Sequence, residues 1–311
     1  MWIWIMGTAV AIVLFVLLAI CYLFQLVFGR QPVNAVEGQN MPKWYVGSPH
    51  HKAVQAGFPL MESLPCEDVT ITACDGLQLH ARLYPAEKPS RKFVLGIHGY
   101  RSFARSEYAP HIAFYRSLGY NMLLPDDRGH GQSQGDFITF GNTDRLDCVK
   151  WAQYLVQRFG PDVQILLHGV SMGGATVLSA SAEPELPKQV FGVVSDCGFS
   201  CVRDAFAFQL KAMYHVESDF PVKVCQWYAK HKAGFDFTEA RPIDRVKEAR
   251  VPIFFVQGAE DCLVPKEMAE QLYMACTAPK KLLIVEHASH AESIALDPEG
   301  YHQAMRELFG I

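Results

Sequence analysis

The feature that most constrains the fold is an alternation of short apolar runs with helical patterns, which continues from residue 69 to the end of the chain. Several runs are apolar throughout, as is typical of parallel strands that helices cover on both faces. Between them, patterns such as 142–159 place their apolar residues on one helical face. The predicted strands are 69–73, 77–84, 92–98, 120–125, 163–168, 190–195, 251–257 and 281–286.

The first two strand candidates are separated by Cys74-Asp75-Gly76, and an Asp-Gly turn between alternating runs predicts an antiparallel hairpin. Two antiparallel strands followed by repeated β–α units predict an α/β three-layer sandwich with a mostly parallel sheet. The stretch 199–240 interrupts this alternation with helical, aromatic-rich sequence. We interpret it as a short cap inserted in a domain that spans residues 68–311.

Charge and cysteine usage exclude several classes of protein. Lysine and arginine total 28 against 32 acidic residues, so the net charge of −4 provides no basic surface for nucleic acid. A Walker motif is absent from the sequence. The nine cysteines have no CxxC spacing, which argues against a zinc ribbon and is typical of reduced thiols. We therefore expect no nucleic-acid partner, no metal and no cofactor.

The N-terminal stretch 2–29 contains no charged residue. A membrane-spanning helix needs about 20 apolar residues, and this run is long enough. A signal peptide would have a basic start and a shorter apolar run, although Val33-Asn34-Ala35 resembles a cleavage site and leaves secretion as an alternative. We predict that residues 1–29 form one uncleaved transmembrane anchor helix.

The residues after the predicted anchor indicate its orientation. Arg30, Lys43 and Lys52 follow the apolar run and no basic residue precedes it, so the positive-inside rule favours a cytoplasmic catalytic domain. The stretch 30–67 contains several prolines and glycines. We predict that it is an extended juxtamembrane tether with at most one short helix.

The first motif that indicates a catalytic site is Gly169-Val170-Ser171-Met172-Gly173, which joins a predicted strand to a predicted helix. This is the context of a nucleophile elbow, in which a strained turn exposes the serine hydroxyl. Gly169 and Gly173 would keep Cβ atoms out of the crowded turn. We predict that Ser171 is the nucleophile. The alternative is an ordinary glycine-rich turn with a capping serine.

A serine hydroxyl needs a base to take its proton and an acid to orient that base. In this architecture the chain order is serine, acid, histidine. Asp261 follows the strand 251–257 and His290 follows the strand 281–286, so both lie at the edge where such sheets bind ligands. We assign them as acid and base. Asp196 is an alternative acid and His287 an alternative base.

Two backbone amides are candidates for the oxyanion hole. Gly99 follows the strand 92–98 and would let the chain turn so that the N–H of Tyr100 faces the nucleophile. The N–H of Met172 begins the helix after Ser171, where the helix dipole favours negative charge. Only the backbones of these two residues are needed.

These motifs carry a family resemblance. The chain resembles α/β-hydrolases of the serine-aminopeptidase and monoglyceride-lipase-like branch over residues 68–311. The resemblance implies the triad and oxyanion amides just assigned, and a structural role for the loop 128–131. The anchor lies outside it, and the cap is short. The strings that carry it are HGYR (98–101), DDRGHGQS (126–133), GVSMGG (169–174), GAEDCLVP (258–265) and HASHA (287–291).

The predicted function is a serine hydrolase that cleaves carboxylic esters through an acyl-enzyme. The anchor and the apolar cap favour an acyl or otherwise amphiphilic, lipid-like ester. An aminopeptidase or thioesterase with the same triad is the alternative, and a non-catalytic receptor or scaffold is a remote one. Because the anchor would supply location and not chemistry, we expect removal of residues 1–29 to leave hydrolysis of soluble esters nearly unchanged.

Overall fold

The computed structural model describes residues 21–31, 45–239 and 241–311, with the single residues Met6, Phe15 and Leu18. Most of the anchor predicted over residues 1–29 therefore lies outside the described residues. Within the described part of the chain, we find no helix whose length and apolarity would let it cross a membrane. Residues 21–28, at the end of the predicted anchor, are helical.

The centre of the fold is a sheet of eight strands: β1 (Glu67–Thr72), β2 (Gln78–Tyr84), β3 (Lys92–Ile97), β4 (Asn121–Pro125), β5 (Gln164–Val170), β6 (Val190–Asp196), β7 (Ile253–Gly258) and β8 (Lys280–Val285). Their order is β1-β2-β4-β3-β5-β6-β7-β8. β2 pairs antiparallel with β1 and β4, and the remaining neighbours pair parallel. The predicted hairpin and mostly parallel sheet are confirmed.

Helices cover both faces of this sheet, and each face has its own buried core. In β3, Phe93 and Leu95 belong to one core and Val94 to the other. Burial on both faces explains why the strands are apolar throughout. The helices are α1 (Pro49–Ser63), α2 (Ala104–Tyr108), α3 (Ile112–Ser117), α4 (Asp144–Phe159), α5 (Met172–Ala180), α6 (Val202–Tyr214), α7 (Phe220–Tyr228), α8 (Pro242–Arg245), α9 (Lys266–Ala275), α10 (Ser293–Leu296) and α11 (Pro298–Phe309).

Helix α1 lies within the stretch 30–67, for which the sequence predicts an extended tether. Its 15 residues exceed the single short helix allowed there. The Ser48 side chain caps its first turn by accepting a hydrogen bond from the N–H of His51, and proline is well tolerated at the first helical position. A Cβ atom on Gly57 would come within 1.9 Å of the Ala109 carbonyl oxygen, so α1 packs closely on the body.

The chain between β6 and β7 forms α6, α7 and a π-helical turn (Ala229–Ala233), in the stretch that the sequence predicts as a cap. Phe199, Phe235 and Phe237 from this stretch are buried in one apolar cluster with Met172, the first residue of α5. The cap therefore packs against the sheet edge at which Ser171 lies.

Candidate active site

The turn between β5 and α5 holds Ser171 in a strained conformation, with φ 55° and ψ −115°. Such a conformation persists only where its surroundings determine it. A Cβ atom on Gly169 would lie 2.1 Å from the Gly173 carbonyl oxygen, and one on Gly173 would lie 2.0 Å from that of Ile97. The two flanking glycines are thus sterically required. They let the elbow lie against β3.

Ser171, His290 and Asp261 form a continuous chain of hydrogen bonds. His290 Nε2 lies 2.8 Å from Ser171 Oγ, and His290 Nδ1 lies 2.7 Å from Asp261 Oδ2. Asp261 follows β7 and His290 follows β8, so parallel strands bring both to one edge. The structure brings the three predicted side chains together in the geometry of a nucleophile, a base and an orienting acid.

The carboxylate of Asp261 is fixed by three further donors. Its Oδ1 accepts the backbone N–H groups of Leu263 and Val264 at 2.8 and 2.9 Å. Its Oδ2 accepts the Gln257 side-chain amide at 2.7 Å, in addition to His290. Gln257 lies within β7, and nothing in its apolar sequence context distinguishes it as a site residue. The donors define which oxygen faces the imidazole.

The alternative base and acid are not in this chain of hydrogen bonds. His287 has positive φ, its side chain is 85% exposed, and Nδ1 lies 3.0 Å from Glu260 Oε1. Asp196 ends β6, and its backbone carbonyl accepts the N–H of Ser171 at 2.8 Å. Burial raises the pKa of the Asp196 carboxyl to about 7, against the opposing effect of a hydrogen bond from Tyr301. Asp196 therefore supports the elbow through its backbone.

The electrostatics favour an imidazole that accepts a proton. Burial alone would lower the pKa of His290, but the neighbouring groups, chiefly Asp261 through its charge and its hydrogen bond, together outweigh burial and raise that pKa above its usual range. Cys197 Sγ lies 3.8 Å from His290 Nε2. Burial raises the pKa of this thiol to about 12, so Cys197 stays protonated and does not compete as a base. Its proximity to His290 could not be read from the sequence.

The loop after β3 passes directly beside the nucleophile, since a Cβ atom on Gly99 would lie 3.3 Å from that of Ser171. The Gly99 carbonyl accepts from His98 Nδ1 at 2.8 Å and from the Ser102 N–H at 3.2 Å. In a planar trans peptide the following N–H, that of Tyr100, points the opposite way. His98 thus has a structural role: it fixes the peptide that carries one predicted oxyanion donor.

The second predicted donor, the N–H of Met172, lies at the first position of α5. A helix leaves its first N–H groups without intrahelical partners, and its dipole favours a negative charge there. The N–H of Met172 is next to Ser171 along the chain, and that of Tyr100 follows Gly99, which lies beside Ser171 in space. This placement is the one that the predicted oxyanion role requires.

The loop after β4 supports the same edge. Arg128 binds both oxygens of Asp147 at 2.6 and 2.8 Å and one oxygen of Asp75 at 2.8 Å. His130 Nε2 accepts the backbone N–H of Arg101 at 3.1 Å. The Arg128–Asp147 pair is buried, and contacts of this kind are those of a structural loop.

Two groups of described residues bring potential metal ligands within 4.8 Å of one another. One consists of Cys197, Asp261 and His290, and so coincides with the triad. The other consists of His111, His168 and Asp196, in which His168 already binds two tyrosine hydroxyls. Either group would have to give up these hydrogen bonds to hold an ion.

A profile described as "Alpha/beta hydrolase family" matches residues 94–304. The chain is 28% identical over 198 residues to the uncharacterized protein YqkD of Bacillus subtilis, covering 63% of this chain and 64% of that protein. It is 22% identical to the protein bem46 of Schizosaccharomyces pombe, covering 62% and 59% of the two chains. Both matches span less than two thirds of the relative.

Solved structures share the fold. The esterase Pf2001 of Pyrococcus furiosus superimposes with a TM-score of 0.63 at 24% identity, covering 81% of this chain and 96% of that one. A puromycin-hydrolyzing peptidase of Mycobacterium tuberculosis superimposes with a TM-score of 0.59 at 19% identity, covering 80% and 40%. Similarity at this level of identity indicates the architecture alone.

Proposed function

The chain belongs to the alpha/beta hydrolase family, and from this premise we propose that it is a serine hydrolase that cleaves carboxylic esters through an acyl-enzyme. The observation that carries the proposal is the unbroken hydrogen-bonded chain from Asp261 through His290 to Ser171. The 2.8 Å between His290 Nε2 and Ser171 Oγ lets the imidazole take the serine proton, and the 2.7 Å between His290 Nδ1 and Asp261 Oδ2 holds the ring in the orientation and tautomer that this transfer needs.

The proposed reaction has two halves. Ser171 Oγ bonds to the ester carbonyl carbon while His290 Nε2 takes its proton, and the resulting oxyanion faces the N–H groups of Tyr100 and Met172. The carbon–oxygen bond to the alcohol then breaks, and His290 returns the proton to that alcohol. In the second half a water molecule bonds to the acyl carbon while His290 takes its proton. The bond between that carbon and Ser171 Oγ then breaks, His290 returns the proton to Oγ, and the carboxylic acid leaves. Asp261 stabilises the imidazolium in both halves.

We propose an acyl or amphiphilic ester as substrate, because the cap offers apolar side chains at the same edge as the triad. Phe206 of α6 contacts the buried Phe140 with ring centroids 5.1 Å apart, and Phe237 at 5.6 Å. Met213, Tyr214 and other large apolar residues of the cap are exposed. Assignment to the serine-aminopeptidase and monoglyceride-lipase-like branch rests on the sequence motifs, and we propose it on that ground.

We further propose that the run 1–29 anchors the protein to a membrane, with the hydrolase domain on the cytoplasmic side. The part upstream of Phe24 would make the attachment, since Phe24 and Phe28 are buried against the protein. The support is the uncharged run 2–29 and the three basic residues that follow it. Fractionation of the full chain, with protease accessibility of the domain in sealed vesicles, tests both the attachment and the side.

A fluorophosphonate probe tests the central proposal. It is expected to label the wild type and not Ser171→Ala, and labelling that survives the substitution would refute Ser171 as nucleophile. His290→Ala is expected to lower kcat on a short p-nitrophenyl ester by several decades, whereas His287→Ala, a matched exposed histidine, is expected to keep it.

A second panel defines the bond that is cleaved. Esters, thioesters and aminoacyl amides with matched acyl chains are compared at increasing chain length. Preference for esters that rises with length supports the proposal. Preference for amides or thioesters would instead assign the same triad to peptidase or thioesterase chemistry.

A further inference from the structure

We propose that residues 24–31, the end of the uncharged N-terminal run with the two residues after it, form a strap that positions the loop 98–102. This loop carries the predicted donor Tyr100 and is called the oxyanion loop. Arg101 is the positioning residue through which the strap acts. The inference rests on the proposed serine-hydrolase function. It gives this segment a part in the chemistry beyond any role in attachment to a membrane.

The strap binds the oxyanion loop through side chains that follow the predicted donor amide. Arg101 Nη2 donates to the carbonyls of Leu26 at 2.8 Å and Gly29 at 3.0 Å. The Tyr100 hydroxyl donates to the Val27 carbonyl at 2.9 Å and accepts from Arg101 Nε at 2.9 Å. The last carbonyls of a helix lack intrahelical partners, and a cation is favoured beside them. Arg101 and Tyr100 therefore cap the helical segment 21–28.

The backbone of Arg101 is held as firmly as its side chain. Its φ of 53° lies in the left-handed region, which a residue other than glycine keeps only where its neighbours impose it. On one side its N–H donates to His130 Nε2 at 3.1 Å. On the other its carbonyl accepts the Gln31 side-chain amide at 2.9 Å. One of the two backbone restraints on this residue thus comes from the strap.

The strap is itself fixed to the body and is not a loose end of the chain. Gly29 forms an antiparallel bridge with Phe137. The Arg30 guanidinium donates to three carbonyls of the loop after β4, those of Gly131, Ser133 and Gly135, at 2.8, 2.6 and 3.1 Å. Such a fixed segment can impose a conformation on its neighbours.

Two aromatic residues attach the same segment to the cap. Phe28 is fully buried, and its ring lies 5.8 Å from that of Phe206 in α6 and 5.4 Å from that of Phe140. The Phe24 ring lies 3.8 Å from that of Tyr228 in α7. The strap thus joins the cap, the loop after β4 and the oxyanion loop. We therefore replace the expectation that removal of residues 1–29 leaves activity unchanged, and expect a loss.

The test uses the full chain in detergent and measures the second-order rate of fluorophosphonate labelling, since the phosphoryl oxygen occupies the oxyanion hole whatever the natural substrate is. Arg101→Ala is expected to lower this labelling rate about tenfold to hundredfold. This is less than the 10²–10³-fold loss of rate that follows complete removal of an oxyanion donor. It should lower kcat on a p-nitrophenyl ester in proportion and leave KM within about threefold. Arg101→Lys should recover part of the rate.

The control is Arg116→Ala, which removes another arginine whose guanidinium binds a backbone carbonyl, that of Pro85, away from the site. It is expected to keep the wild-type rate. If Arg101 contributed to stability alone, Arg101→Ala would unfold at a lower temperature but would be labelled at the wild-type rate per folded molecule. That result would overturn the proposal.

If Arg101→Ala does not fold, Tyr100→Phe provides the test. It removes the hydroxyl that donates to the strap and keeps the backbone N–H of residue 100. A threefold to tenfold slower labelling supports the strap, and a rate within twofold of wild type overturns it. Failure of the hydrolase proposal gives a different result: the wild type is not labelled, or Ser171→Ala still is.

Discussion

The Asp261→Asn substitution tests the acid through the tautomer of the base. Oδ1 of Asp261 faces two backbone N–H donors, from Leu263 and Val264, so the single carbonyl oxygen of asparagine will take that position. Its NH₂ group then faces His290 Nδ1. A donor there requires Nδ1 to be an acceptor, which places the ring proton on Nε2, opposite Ser171. The imidazole can no longer take the serine proton.

The expected loss is about 10⁴ in kcat, the size seen when the acid of another serine-hydrolase triad is converted to its amide, or about 5 kcal/mol of transition-state stabilisation. The change in shape is small, but the new NH₂ faces Gln257 Nε2, which also donates to the Val264 carbonyl at 2.9 Å. One buried hydrogen bond is lost whichever way the Gln257 amide is turned, so we expect the free energy of unfolding to fall by about 1–3 kcal/mol. The assay is kcat on a p-nitrophenyl ester, with thermal unfolding as the check on folding.

The matched control is Glu260→Gln, the same chemical change one residue away on a side chain that is 64% exposed. It should stay within threefold of wild type. Asp196→Asn should also lower kcat less than Asp261→Asn does, because Asp196 supports the elbow through its backbone carbonyl, which the substitution keeps. Activity of Asp261→Asn within tenfold of wild type, or a larger loss from Asp196→Asn, would refute the assignment.

Three further outcomes are expected. Neutral His290 is the proton acceptor, so kcat/KM should fall as the pH drops through the raised pKa of His290. If the fall of kcat/KM at low pH is centred below the ordinary histidine pKa of about 6.5, the direction of this shift is wrong. Arg128→Met leaves the Asp147 carboxylate buried without its partner. It should lower the free energy of unfolding, measured by urea titration, by about 3–5 kcal/mol, and a decrease of under 1 kcal/mol would contradict this. Gly173→Ala would bring a Cβ atom to 2.0 Å from the Ile97 oxygen, so labelling by fluorophosphonate should be abolished, and normal labelling would mean that the elbow tolerates a shift.

The sheet and the approach of the triad side chains could be predicted because both follow from the pattern along the chain. Parallel strands covered on both faces are apolar throughout, and the run 251–257 matches β7 closely. Carboxyl ends of parallel strands share an edge, so a serine, an aspartate and a histidine that follow three strands must converge. Periodicity and chain order carry this information directly.

The choice between His287 and His290 depends on the turn after β8, which the sequence leaves open. At His287 the chain adopts φ 61°, and the side chain turns outward to Glu260. Three residues later His290 faces Ser171. Backbone dihedrals within a short loop have no periodicity from which they could be read.

The two N-terminal segments were harder to predict because tertiary contacts define them. Prolines at 49 and 59 favour an extended tether, yet α1 forms and buries His50, Val54 and Met61 on the body. Likewise, an uncharged run indicates burial of Phe28 but not whether lipid or protein surrounds it.

The guanidinium groups of Arg30 and Arg101 donate to five backbone carbonyls of the strap and of the loop after β4, and every amino acid has such a carbonyl. Gly29, Gly131 and Gly135 among the receiving positions are constrained by space, because a Cβ atom there would lie 2.3, 2.4 and 3.0 Å from neighbouring atoms. The side chain at Leu26 can be exchanged without loss of its carbonyl contact, whereas the two arginines cannot be replaced. For production of the enzyme in a water-soluble form, this dictates where a purification tag or a replacement leader is joined. A junction upstream of Cys21 preserves the connection, and one placed at residue 32 removes it.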